Sequence, residues 1–350
     1  MRKKYNPITF VKYILPFLLI ILTAPQTFAA KAADLVTDGQ PVNLNQEKFH
    51  NLFRELTTKH HFSKSELDKI FQGVQINKKV LELMDKPWEA KPYHQYAPLF
   101  LNKKRIIAGR EMLKKHKKIL DRIEKEIGVD REIIIAIWGI ETRYGANQGS
   151  YNVLRTLTTL FAAYPRRSQF FGKELKEFLL LCKENEIDPK TINGSYAGAF
   201  GQTQFIPSSF RAYALSFDGD AKRDVWNSVP DILASIAHYL KKHKWTLNSP
   251  LYWDLGNELR DKLLVKAYHE GWRGRVDWQN VHDRQAPGIP PSPGNRQLSI
   301  VGLKMHGGSD EIRYFAGYPN FQAVTHWNHS NRYAMAAAQL AEAISHEPGK

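Results

Sequence analysis

Two apolar stripes of helical period meet at Gly128, and they restrict the fold of this chain more than any other feature. Ile106, Ile107, Met112, Leu113, Ile119, Leu120, Ile123 and Ile127 recur at spacings of three and four. That spacing predicts a helix over 102–127, which Gly128 ends. Asp130 stands in capping position for a second helix over 131–142. Helical spacing returns over 151–163, 168–185, 208–215, 229–243, 258–270 and an Ala-rich 333–344. Residues 46–85 read as two short helices, with Ser63 and Glu66 spaced as a capping box, and the proline-broken 87–100 reads as irregular. Strand-like patterns cover only 298–304 and 311–315, after a Pro- and Gly-rich run over 283–295. The expectation is a mainly α (α+β) protein with a small β insertion and no internal repeat.

The N-terminus follows another rule. Arg2, Lys3, Lys4 and Lys12 precede an apolar stretch over 13–22, and small residues follow at Thr27, Ala29 and Ala30. This is the layout of an export signal over 1–29, with an uncleaved anchor as the alternative. The stretch is short for a membrane span and holds Pro16. The only cysteine is Cys182, so no internal disulfide forms and no lipid-bearing cysteine stands at the cleavage point. A lone cysteine reads as a small buried apolar side chain. Formal net charge is +15. Setting the leader's bases aside leaves about +11, which favours anionic partners. For an exported chain, an anionic envelope polymer fits better than nucleic acid.

The 131–142 helix carries an anomaly. Ile134, Ile137, Trp138 and Glu141 share one face, so a carboxylate sits on an apolar stripe. Burial there favours the protonated form and raises the pKa, as a general acid for glycoside cleavage requires. The alternative is a helix-end glutamate paired with Arg143 or a nearby amide. A polar loop with two glycines over 144–149 follows directly, which suits the rim of a site. A second unusual stretch, GSYAGAFGQTQFIPSS over 194–209, combines small residues with Ser195, Gln202 and Gln204. It lacks the ending of a phosphate loop. It reads either as a neutral hydrogen-bonding surface for a sugar or amide, or as a tight packing turn.

Four motifs in order, GIETRYG, YPRRSQFF, GSYAGAFGQTQFIPSSF and HWNHSNRYAMAAAQL, resemble the lytic murein transglycosylase B family (glycoside hydrolase family 103). The resemblance spans nearly the whole mature chain. It implies a lysozyme-like helical core over 131–245, an added helical lobe over 46–130 after a linker at 30–45, and a C-terminal part over 246–350. That last part holds a small β lobe and the closing helix of the core. It also implies cleavage of the β-1,4 bond between N-acetylmuramic acid and N-acetylglucosamine without water, leaving a 1,6-anhydromuramyl end. Glu141 matches the family's single essential residue. Ser195, Gln204, Tyr96, Tyr239, Trp327 and Asn328 match sugar-cleft positions, and Trp327 stands where relatives more often have tyrosine. Arg166 and Arg167 match bases that face the peptide stem.

No cofactor is implied for catalysis. The family can carry a structural calcium loop. Here Asp218, Asp220 and Asp224 are the candidate ligands, although Ser216 opens the loop and no glutamate closes it at Asn227. No zinc signature exists, and His326 and His329 read as surface or packing histidines. The implied setting is the periplasm. The chain is expected to be a monomer acting on peptidoglycan strands beside other wall-remodelling proteins. Two other functions stay open: a hydrolysing muramidase, which usually needs a second carboxylate, and a non-catalytic binder of an envelope polymer or nucleic acid.

Overall fold

The computed structural model describes residues 31–85, 91–307 and 311–346. The expected leader over 1–29 and Trp88 lie outside the described residues. Three helices open the chain: α1 (Glu47–His60), α2 (Lys64–Phe71) and α3 (Lys78–Met84). The capping box forms as its spacing predicts. Ser63 Oγ accepts from Glu66 N at 3.1 Å, and the Glu66 carboxylate accepts from Ser63 N at 2.6 Å. Residues 46–85 hold three helices instead of two, because Gly73, at φ +76°, turns the chain after α2. The preceding stretch, expected to link, buries Ala32, Ala33 and Val42, and Val42 N donates to Val74 O. Within the proline-broken 87–100, Tyr93–Tyr96 form a single turn, α4.

The helix expected over 102–127 is two helices, α5 (Lys103–Lys115) and α6 (Lys117–Glu126), broken at His116 (φ −105°, ψ 19°). An unbroken run of that length would extend roughly 39 Å, about twice the length of the helix it packs on. The break lets both halves lie against that helix, α7 (Arg131–Thr142). In α7 every residue from Ile133 to Ile140 is buried, so the helix is apolar all round, as the centre of a core must be. Asp130 precedes it but forms no side-chain cap. Its carboxylate instead accepts from Trp245 Nε1 at 2.7 Å and Asn248 N at 3.0 Å, two partners more than a hundred positions away.

After α7 come β1 (Tyr151–Asn152), α8 (Val153–Ala163), α9 (Ser168–Glu184), β2 (Asn193–Gly194), α10 (Pro207–Tyr213) and α11 (Val229–Lys242). β1 and β2 pair antiparallel, Tyr151 opposite Gly194, which ties the glycine-rich stretch to the loop after α7. The remainder is β3 (Tyr252–Gly256), α12 (Lys262–His269), α13 (Trp278–Arg284), β4 (Ser299–Leu303), β5 (Arg313–Gly317), α14 (Pro319–Trp327) and α15 (Asn331–Ser345). The sheet is antiparallel, in the order β3–β5–β4. Its side chains alternate faces. Val301 and Phe315, directly opposite each other, join the main helical core, while Ile300 and Ala316 close a second core with Leu264 and Val281. α15 then returns to pack on α7, with α14 against α15 and α11, so both chain halves meet around the helix that carries Glu141.

Candidate functional site

Glu141 ends the buried face of α7 and is half-buried. Its Oε1 accepts two hydrogen bonds, from Tyr333 OH at 2.5 Å and Trp327 Nε1 at 2.9 Å. Both donors come from the C-terminal helix pair. Among the described residues no hydrogen bond reaches Oε2. Burial pushes the carboxyl up to about 7, and the two donors, which favour the charged form, hold it back from rising further. Arg143 is exposed in the left-handed region (φ 54°) and does not pair with Glu141. The helix-end ion pair considered from sequence is therefore not how this acid is held.

The loop after Glu141 is fixed from below. Gln202 Oε1 accepts from Trp138 Nε1 at 2.9 Å, and Gln202 Nε2 donates to Trp226 O at 2.7 Å. Thr142 Oγ1 accepts from Gly145 N at 3.0 Å. Tyr144 lays its ring over Gly139, where a Cβ would come within 2.6 Å of it. Gly149 packs equally tightly: at φ +89°, its Cβ would meet Gly194 O at 2.1 Å. The glycines of the two stretches therefore serve close backbone approach, and the polar groups between them line what remains open.

A groove of about 580 Å³ lies one side chain from the acid, which is not itself in its lining; Arg167, Gln204, Tyr239, Trp327, Asn328 and His329 line it with several apolar side chains. Trp327 links groove and acid, since its ring lines the one and its N–H bonds the other. Five of the expected substrate positions thus converge: Arg167, Gln204, Tyr239, Trp327 and Asn328. Gln204 is held at φ 49° by bonds from its amide to Gln148 O and Gly201 O. Tyr239 packs against Trp327 at 4.7 Å between centroids and donates to His326 O, so it is a wall more than a free donor. Ser195 lies in the glycine-rich stretch, where its Oγ accepts from Ala197 N and Ala199 N. Tyr96 packs against Phe100, close enough to Tyr333 to raise its pKa. Arg166 is exposed and outside the groove lining.

Sequence reasoning passed over Tyr333. Its signal was present: a single tyrosine in the first turn of an otherwise Ala-rich helix. Its partner, however, lies 192 positions away. Among the described residues no carboxylate lines the groove itself; Glu141 meets it through the Trp327 N–H. Glu174 is buried, but both its oxygens are taken by the Ser208 amide and hydroxyl at the start of α10. Cys182 is buried, and burial pushes its thiol up, as expected for a packing residue.

The aspartates gather differently from the expected set. Asp218, Asp220 and Asp231 bring carboxylate oxygens within 4.8 Å of one another. Asp224 turns away from them and accepts from Trp226 N and Asn227 N, both at 2.9 Å, because a short side chain two or three residues before a turn bonds its own backbone. Asp231 is fully buried at the start of α11, and burial together with the Asp218 charge pushes its carboxyl up. The cluster is an acidic set of hard oxygens of the kind calcium takes, although the Asp231 oxygens also accept from the Phe217, Asp218 and Asp224 amides and Asp218 accepts from Ser228. Arg223, which might have opposed a cation, turns to Glu184.

A single proton-carrying carboxylate beside a groove, on a helix buried among helices, defines a glycan-cleaving enzyme of lysozyme-like fold. The chain belongs to the family described as the transglycosylase SLT domain, which matches residues 45–342, and it is a lytic transglycosylase. It is 32% identical over 318 residues to the membrane-bound lytic murein transglycosylase B of Escherichia coli, covering 87% of this chain and 83% of that protein. The soluble lytic transglycosylase SltB1 of Pseudomonas aeruginosa superposes with a TM-score of 0.73 at 36% identity, covering 84% of this chain and 97% of that one. The Escherichia coli lytic transglycosylase Slt35 in complex with calcium gives 0.76 at 29% identity, covering 91% and 98%.

Proposed function

We propose that the chain cleaves the β-1,4 bond between N-acetylmuramic acid and N-acetylglucosamine without water, with Glu141 as acid and then base. The observation that carries this is the one-sided bonding of Glu141: both donors occupy Oε1, leaving Oε2 to hold the mobile proton. Oε2 gives that proton to the bridging oxygen as the bond to C1 breaks. The muramyl 6-hydroxyl then closes on C1, and its proton returns to Oε2. The substrate brings its own nucleophile, so the second carboxylate of an ordinary glycosidase is not needed. The groups bonded to Glu141 are Tyr333 and Trp327, and among the described residues no acidic neighbour acts on its pKa, which supports this over hydrolysis.

Gln204, Asn328 and Ser195 contact the sugars in this reading, Tyr239, Trp327 and Tyr96 wall the cleft, and Arg166 and Arg167 meet carboxylates of the peptide stem. Calcium is held by Asp218, Asp220 and Asp231, with a structural role. The leader over 1–29 exports the chain to the periplasm, where it works as a monomer on glycan strands beside other wall-remodelling proteins. Among the described residues no helix is long and apolar enough to cross a membrane. The test is mass spectrometry of fragments released from purified sacculi. Wild type releases anhydromuramyl ends and Glu141→Gln releases none while keeping the wild-type fold. Reducing muramic ends, one water heavier, would reject the mechanism, and unchanged release by Glu141→Gln would remove Glu141 from its role.

A further inference from the structure

We infer that Trp272 is a stacking platform for a saccharide of the glycan strand lying beyond the pair held at Glu141, an inference that rests on the glycan-cleaving reading above. Trp272 sits in the 3-10 turn Gly271–Arg273, between α12 and α13, with 45% of its surface exposed. A lone exposed aromatic needs no explanation by itself. This one stands on a built support that meets the groove.

The backbone beneath the ring is fixed by two devices. Arg275 Nη1 donates to Trp272 O at 2.6 Å and to Gly274 O at 2.9 Å, clamping the turn from its C-terminal side. Gly274 seats the turn on α12, where a Cβ would come within 1.9 Å of Ala267 O. Such a support presents the indole at little cost in entropy on binding.

Its direction follows from its neighbour. The Trp272 ring lies 5.8 Å from that of His329, tilted by 34°. His329 lines the groove next to Trp327 and Asn328, and the same residue lines a second cavity of about 570 Å³ beside Tyr93 and Arg332. Trp272 itself lines neither cavity, but its ring adjoins His329, the residue the two cavities share, so the indole stands next to the groove. A pyranose ring carries an apolar face of axial C–H bonds, which an exposed indole matches in area and flatness. The Arg273 guanidinium lies over one face of the indole, 5.2 Å from its centroid, so a sugar would take the other face, with a cation suited to carboxylates along the strand close by.

Chain-length dependence of binding tests this without turnover. Glu141→Gln protein is titrated with uncross-linked glycan fragments from tetrasaccharide to octasaccharide, with and without Trp272→Ala. Affinity should tighten as the fragment lengthens in the single variant. Trp272→Ala should remove roughly three- to tenfold of that gain, the range one aromatic partner supplies, and Trp272→Phe should restore most of it. Coincident curves at every length would overturn the platform. An equal loss at every length would also overturn it, by assigning Trp272 to the reacting pair or to the fold. No binding at any length would overturn the glycan reading itself, and the platform with it.

Discussion

Protonation of Glu141 is a contest between burial, which lifts its pKa to about 7, and two donors that pull it down. The acid must carry its proton to start the reaction, and the protonated fraction falls above the pKa. kcat/KM should therefore decline above about pH 7. Tyr333→Phe removes a donor that favours the carboxylate, without changing the ring. The Glu141 pKa should rise, and the alkaline limb of the profile should move to higher pH, with kcat reduced as well. A limb that stays in place, or moves to lower pH, would contradict the assignment of that limb to Glu141. Glu141 was legible from sequence because one charge on an apolar stripe breaks a simple periodic rule. Tyr333 was not, because helical period says which face of α15 is buried and not what it meets across 192 positions.

Elements hold the acid in register. α7 was readable because its apolar run and its acid obey one period. The break at His116 was not, since nothing in the spacing of α5 and α6 departs from a continuous helix; packing against α7 decides it. Asp130 misled in the same way: its local role as a cap lost to Trp245 and Asn248, brought near by the fold. The clamp on the loop after α7 invites a direct test. Gln202 bonds Trp138, one turn before Glu141 on the same face, and Trp226 at the start of the segment leading to α11. Gln202→Leu keeps the bulk and leaves the buried Trp138 indole N–H without a partner, at about 1–3 kcal/mol, while the Trp226 carbonyl keeps only the longer bond from Gln148. The melting temperature should fall by several degrees, and kcat should fall roughly tenfold with KM changed much less. A loss confined to KM would mean that Gln202 touches substrate and does not position the acid.

At the scale of the whole molecule two charge effects remain. The first is local. Asp231 is buried against Asp218, and a calcium ion would relieve their repulsion. Calcium in hundredfold excess over its dissociation constant should stabilise the fold by about 2.7 kcal/mol. A chelator should reverse that gain in a thermal melt, and Asp218→Asn should abolish it. A calcium-induced shift that survives Asp218→Asn would place the ion elsewhere. Asp231 escaped sequence reasoning because it stands outside the expected loop, beyond the stretch in which its companions are spaced.

The second effect is global. The chain carries 50 lysines and arginines against 35 aspartates and glutamates. The exposed Arg167 adds positive charge to the groove it lines. Peptide stems bear carboxylates, so encounter with a sacculus should be steered, and steering is screened over about 8–10 Å at physiological salt. Raising ionic strength from low salt to several times physiological should therefore lower kcat/KM on intact sacculi while leaving kcat nearly unchanged, because salt weakens approach and not the enclosed proton transfer. Fragments stripped of their peptides should show a much flatter salt dependence. If stripped and intact strands respond alike, the basic surface serves something other than capture of the substrate.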